Sequence, residues 1–202
     1  RDSQTLSDAG RAVLVRRALE ELQDNVHYYY RHRRSAAFCQ MAAETIDELK
    51  SAGLSGTQLA ELARDCGPES GKLSELALIF QGYETLLAGT GMDPADRLEL
   101  AADRLEAALA RNELPDFLRE REVFIDEFDT FNAPKKRLMG AMLAALPAVT
   151  VALCEDGAPM QPGDLELFSG AKQVAAQLRQ LARKNGAQVA APELLRRDLR
   201  HK

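Results

Sequence analysis

Phe124-Ile125-Asp126-Glu127-Phe128 is the stretch whose residue types come nearest to a chemical site. An apolar run that ends in Asp-Glu is the Walker B pattern. There the aspartate holds magnesium, and the glutamate orients or activates the attacking water. The chemistry depends on position, because ligands of open α/β sheets collect at the carboxyl ends of the strands. Asp126 and Glu127 therefore matter only if the residues before them form a strand; otherwise they are a polar turn and a helix cap. A working site also needs a G-x-x-x-x-G-K-[ST] loop, and no stretch of the 202 residues has that form. Gly67 to Lys72 (GPESGK) comes nearest, with the wrong spacing and no strand before it. As it stands, the chain is expected to be an excised part of a larger protein, unable alone to hydrolyse a nucleotide or cut a phosphodiester bond.

The second candidate is His27-Tyr28-Tyr29-Tyr30-Arg31-His32-Arg33-Arg34. Cations interleaved with aromatic rings can hold single-stranded DNA through phosphate contacts and base stacking, with Tyr30, Arg31, Arg33 and Arg34 as the candidates. The competing reading is a helix junction in which the tyrosines pack and the arginines stay solvated. Lys135-Lys136-Arg137 is a further basic cluster at the first turn of an expected helix. Cations are disfavoured there, so a phosphate could offset Lys135 and Lys136; a solvated helix face is the plainer alternative. No metal site is expected. His27, His32 and His201 make no ligand set, and Glu155-Asp156 with Asp164 read as solvated loop carboxylates.

The charge balance limits these readings. Lys and Arg number 26 against 31 Asp and Glu, a formal net charge of −5. Nucleic acid would have to be held by a local basic patch, not by bulk charge. Cys39, Cys66 and Cys154 are far apart and show no CxxC spacing, so reduced thiols in a cytoplasmic protein are expected. No apolar run approaches the ~18–20 residues of a membrane helix, and no signal peptide is visible. The first residue is Arg1, and the natural protein is expected to extend upstream of it.

The elements that must position these residues divide near residue 118. Before it the pattern is helical. Thr5 and Asp8 have capping-box spacing, followed by Val13, Leu14, Ala18, Leu19 and Leu22 on one helix side. A helix from about Ser35 carries Phe38, Met41, Ala42, Ile46 and Leu49, with Gly53 as its terminal glycine. Ser55 and Gln58 open a short helix with Leu59 and Leu62, ended by Gly67-Pro68. A longer helix spans Leu73 to Leu87, and Asp93-Pro94 opens another with Leu98, Ala102 and Leu105. After residue 118 the period changes. Val123-Phe124-Ile125 and Val149 to Leu153 read as buried strands, joined by a helix that Asn132 caps. Pro159 to Gly163 is a loop, a helix runs from about Leu165 to Lys184, Asn185-Gly186 ends it, and Ala187 to Ala190 reads as a third strand. This alternation implies a parallel sheet. Three strands are too few for a doubly wound one, so the fold class is α/β: a mainly helical domain plus a partial parallel sheet.

Asp126-Glu127-Phe128-Asp129-Thr130-Phe131-Asn132, with the helix carrying Leu138, Met142 and Leu143 after it, resembles the Asp-Glu-Phe-Gln-Asp-Thr-Asn motif of superfamily-one helicases. The Gly-Asp-x-x-Gln that should follow the next strand is replaced by Cys154-Glu155-Asp156-Gly157. The chain is more similar to the B-type subunit of the bacterial ATP-dependent helicase/deoxyribonuclease, a counterpart of the RecBCD machine. The likeness covers nearly the whole length. It includes Thr5-Leu6-Ser7, the Leu73–Leu87 helix, Val123 to Asp126 with Phe128 and Phe131, Val149-Thr150-Val151, and Glu166-Leu167-Phe168. Glu127 stands where that family usually has Gly.

The resemblance implies that residues 1–118 are a leading helix and a helical (1B-like) insertion. Residues 119–202 would be part of the Rossmann-like (1A-like) core of a P-loop NTPase of superfamily-one type. It implies a role in double-strand break repair and recombination, in which the B-type subunit scans DNA for a hotspot sequence beside an A-type helicase/nuclease subunit. The parent would use ATP, magnesium and an iron–sulfur cluster, none carried here, with Asp126 and Glu127 vestigial. The alternative is a fragment of an active superfamily-one motor with a functional Walker B pair.

Overall fold

A computed structural model of the chain describes residues 5–126, 131–156 and 167–195. The chain divides into two compact units, residues 1–101 with 132–134, and residues 102–131 with 135–202. The division falls inside the helix Pro94–Ala110.

The first unit is helical. Its elements are α1 (Asp8–Glu21), a short 3-10 turn at Tyr30–His32, α2 (Ala36–Ser51), α3 (Gly56–Ala63), a second 3-10 turn at Gly67–Glu69, α4 (Ser70–Thr90) and the start of α5 (Pro94–Ala110). Local chemistry sets the boundaries. Ser35 caps α2 by accepting from the Phe38 amide, and Ser55 with Gln58 closes a full capping box on α3. At the end of α2, Gly53 adopts φ +82°, its amide donates to Lys50 O, and the Leu54 amide donates to Leu49 O. That is a Schellman motif, which needs a residue tolerant of the left-handed region. The cap of α1 is Ser7, whose Oγ accepts from the Gly10 amide. The expected Thr5–Asp8 box does not form, because Thr5 is drawn into an isolated parallel bridge with Met92.

α4 is the centre of this unit. Ile79, Phe80 and Tyr83 are buried, against Leu14, Val15 and Leu19 of α1, Ile46 of α2 and Leu59 of α3. Burying each large apolar side chain stabilises by about 1.5–3 kcal/mol. Glycine lets the flanking helices come close. A Cβ on Gly56 of α3 would lie 2.8 Å from the Gln81 amide nitrogen, and one on Gly82 of α4 would lie 3.2 Å from the Ala18 Cβ. Val13, Met41 and Leu62, expected on buried faces, are exposed. The true faces run through Val15, Cys39 with Ala43, and Ala63, one or two residues away.

The second unit holds the rest of α5, the turn α6 (Asp116–Arg119), β1 (Glu122–Ile125), α7 (Ala133–Ala145), β2 (Ala148–Val151) and α8 (Ser169–Lys184). β1 and β2 pair in parallel with Val123 opposite Val149 and Ile125 opposite Val151. The ladder continues one step further through the Ala152 amide to Ile125 O at 2.8 Å. Parallel neighbours require a crossover, and α7 lies within it. Gly140 of α7 brings Leu181 of α8 close. Asn185-Gly186 ends α8 as expected, with Gly186 at φ +73°.

Two expectations change. The strands are not buried on both faces, since β1 alternates and Phe124 is 71% exposed. Ala187 to Ala190 is not a strand. The Ala187 amide is committed to Ala182 O in the helix cap, and Val189, the one β-branched residue there, is exposed. Pro159 to Gly163 and Leu165 lie outside the described residues, and α8 begins at Ser169.

Candidate nucleic-acid interface

Asp126 follows β1 directly, and Glu155 and Asp156 follow β2. Parallel pairing brings these three acidic residues to one edge, the carboxyl end of the strands. Asp126 is exposed there. Glu127, its Walker B companion, lies outside the described residues, as does Asp164. Asp156 is met by Lys172 at 2.9 Å, and that lysine's side chain is only 5% exposed. A buried ammonium at this edge was not legible in the sequence, because it comes from α8. Among the described residues no group of His, Cys, Asp and Glu is arranged to hold a metal ion. Cys39 is buried, whereas Cys66 and Cys154 are exposed. GPESGK forms the Gly67–Glu69 turn and the first residues of α4. It follows helix α3, so it offers no cradle at a strand end.

The segment from His27 to Arg34 joins α1 to α2 and is shaped from within. Glu75, buried on α4, accepts from the His27 amide at 2.7 Å, the Tyr28 amide at 2.8 Å and the Tyr29 amide at 3.3 Å. Three successive amides turned onto one carboxylate form an anion-binding concavity, here filled by the protein's own side chain. Val26 is buried beneath it. The Tyr29 ring stacks on Phe38 with centroids 5.7 Å apart, and His32 lies 5.4 Å from the same ring. Burial pushes the Tyr29 phenol up.

The candidate residues in this segment separate by surroundings. Arg33 sits 4.0 Å over the Tyr30 ring and donates to Tyr30 O, while Tyr30 Oη donates to Gln23. This pair satisfies itself. Arg31 and Arg34 are exposed, but only Arg31 lines the adjoining groove of about 490 Å³. Half-buried Tyr29 and Phe38 form its inner surface, with exposed Tyr28, Arg31, His32 and Met41 around them. Lys72 of α4 completes it, paired with Glu69 at 3.0 Å. Tyr28 and His32 stood within the run first singled out. Phe38 and Lys72 were not identified, and Lys72 reaches the site because α4 lies against the 27–29 turn, with Glu75 on its amides and Gly71 beside the Tyr28 ring.

The α7 cluster is answered largely by the chain itself. Arg137 spans Asp103 and Glu106 of α5 at 2.6 Å each. Lys135 is half-buried and Lys136 exposed. For Arg137, then, the negative charge comes from α5 of the chain itself.

A buried polar frame lies elsewhere in the helical unit. Lys50 bonds Asp93 and Asp96 at 2.9 Å each, and Tyr83 Oη donates to Asp93 at 2.7 Å. Burial alone pulls the Lys50 ammonium down, but the two carboxylates outweigh it and the net shift is upward. Burial and the Asp93 hydrogen bond both push the Tyr83 phenol up. Beside this frame Arg11 bonds both Asp8 and Asp47. Each cation here bridges two carboxylates, and none of these residues lines the groove beside the 28–32 turn, so they serve as scaffold.

A family model described as "ADDB, N-terminal" matches residues 1–202. The chain is 31% identical over 193 residues to the B-type subunit of the ATP-dependent helicase/deoxyribonuclease of Desulforudis audaxviator, covering 93% of this chain and 16% of that protein. It is 32% identical over 193 residues to the same protein of Moorella thermoacetica, covering 91% and 16%. For the Heliobacterium modesticaldum protein of that name the figures are 29% over 185 residues, 88% and 14%. The chain thus spans about 16% of the length of the first two of these relatives.

Proposed function

The chain belongs to the ADDB N-terminal family, and from that premise we propose that it is the N-terminal region of the B-type subunit of an ATP-dependent helicase/deoxyribonuclease acting in double-strand break repair and recombination. Its role is structural and DNA-contacting. Residues 1–118 serve as the leading helix and helical insertion. Residues 119–202 contribute strands to a core of P-loop NTPase, superfamily-one type. The partners are DNA and an A-type helicase/nuclease subunit, in the cytoplasm. Among the described residues no helix is long and apolar enough to cross a membrane. ATP, magnesium and the iron–sulfur cluster belong to other parts of the parent.

One observation carries the motor ancestry. β1 and β2 run parallel across a crossover that includes α7, and Asp126 leaves the carboxyl end of β1. That is the position where α/β nucleotide sites collect their ligands. Cys154-Glu155-Asp156-Gly157 after β2, in place of the Gly-Asp-x-x-Gln of an active motor, supports a vestigial pair over a working one. DNA contact is supported by the groove beside residues 28–32.

The test uses the full-length protein with its A-type subunit on linear duplex DNA. ATP-dependent degradation is expected, with ATP turnover unchanged by Glu127→Gln. No ATP-dependent degradation overturns the assignment. A large fall in turnover with Glu127→Gln would mean that this chain belongs to an active motor.

A further inference from the structure

We infer that the groove between the 28–32 turn, α2 and Lys72 is a binding site for unpaired nucleotides, with bases stacking on exposed rings and phosphates held by Arg31 and Lys72. This rests on the DNA-contacting role proposed above and names the ligand class and residues. The charge pattern carries it. The chain has more acids than bases, 31 against 26, yet among the described residues Arg31 and Lys72 line this groove and no carboxylate does, Glu69 standing beside it only as the partner of Lys72. The Lys72–Glu69 pair is exposed on both sides, and such pairs are weak enough for a phosphate to displace. The rings carry the other half. Tyr28 is 53% exposed and His32 is exposed, while Phe38 braces His32 from within. Open ring faces beside cations match a strand whose bases are unpaired; in a duplex those faces are stacked away.

The turn is also held in advance. Glu75 fixes three successive amides there, so Tyr28 is presented on a braced backbone and less ordering is required on binding. Tyr30, Arg33 and Arg34 stand outside this site.

The experiment is fluorescence anisotropy with the full-length protein. The probes are a labelled oligothymidylate of about 12 nucleotides, within the roughly 4–16 of known single-strand sites, an abasic strand of equal length, and the matching duplex. Tyr28→Ala with Arg31→Ala is expected to weaken oligothymidylate binding about tenfold, a 1.4 kcal/mol change at ~25 °C. Duplex binding should change less than about twofold, and the abasic strand should bind the wild type about as weakly as oligothymidylate binds the variant. Arg31→Ala with Lys72→Ala should lower the salt slope by about 1–1.5. Both pairs are exposed, and circular dichroism checks that they fold. Wild-type affinity in both variants overturns the groove and leaves the DNA-contacting role standing. A full-length protein that binds none of the three probes overturns that role as well. Variants that bind DNA normally but lose the A-type subunit on gel filtration assign the groove to a protein contact, and the inference fails.

Discussion

Glu75→Gln tests how the aromatic turn is held. The native carboxylate bonds the His27, Tyr28 and Tyr29 amides with one oxygen at 2.7 and 3.1 Å and the other at 2.8 and 3.3 Å. A glutamine keeps one acceptor oxygen. Its amide nitrogen points N–H at N–H on the other side, so the 2.8 and 3.3 Å bonds are lost. A hydrogen bond to a charged group is worth about 1.5–3 kcal/mol. His27 and Tyr28 are exposed, so water recovers part of the loss, and a net destabilisation of about 2 kcal/mol is expected. For a chain of this size that lowers Tm by about 4–8 °C. The control is Glu69→Gln, which breaks only the exposed Lys72 pair and should cost less than ~1 kcal/mol. Thermal unfolding gives the energy, and hydrogen exchange reads the amides of residues 27–29, which should lose protection first. A Glu75→Gln protein within about 0.5 kcal/mol of wild type, or with those amides still protected, refutes the reasoning.

Gly56→Ala places a Cβ 2.7 Å from Gln81 Cγ and 2.8 Å from the Gln81 backbone nitrogen. A cost of about 1–3 kcal/mol is expected by urea denaturation, and a neutral result would show that α3 and α4 have room to part. Lys50→Met leaves Asp93 buried with only the Tyr83 hydroxyl and the loss should reach about 3–5 kcal/mol. Adding Asp93→Asn should recover a large part of it, and additive single effects in that double-mutant cycle would contradict direct coupling. Lys50 and Tyr83 are raised above their ordinary 10.5 and 10.0, so the folded state binds more protons than the unfolded state at alkaline pH. Their contribution is intact below about pH 10 and is lost as pH climbs through the higher folded values. Alkaline unfolding should start near pH 10 and be blunted in the Lys50→Met, Tyr83→Phe double variant; an unchanged profile would remove the frame as its cause.

Local rules were strong enough to be read wherever one residue decides the outcome. Ser35, the Ser55–Gln58 box, Gly53 and Gly186 mark helix ends because a side-chain acceptor or a left-handed backbone is required there. The parallel pair was legible because Val123–Ile125 and Val149–Val151 are short apolar runs with a helical pattern between them. Faces were less certain. Val13 and Met41 fit a helical stripe as well as Val15 and Cys39 do, and only the positions of neighbouring helices choose between them. The third strand failed because Val189 alone cannot outweigh the Ala187 amide's bond into the helix cap.

The candidate site was half legible. Aromatic and basic residues were found as a run, but a run cannot tell Arg33, stacked on Tyr30, from Arg31, which lines the groove. Lys72, Lys172 and the Lys50 frame depend on residues far apart along the chain, so no local pattern announces them. Glu75 is the extreme case, a single carboxylate 46 to 48 residues from the amides it orders.

The proposed motor ancestry turns on β1 and β2 being inner strands of a larger parallel sheet, and a cryo-electron microscopy map of the full-length protein tests that directly. It should show further strands parallel to both, with Asp126 at their shared carboxyl edge. A map in which the two strands stand alone, or gain an antiparallel neighbour on each side, would contradict it.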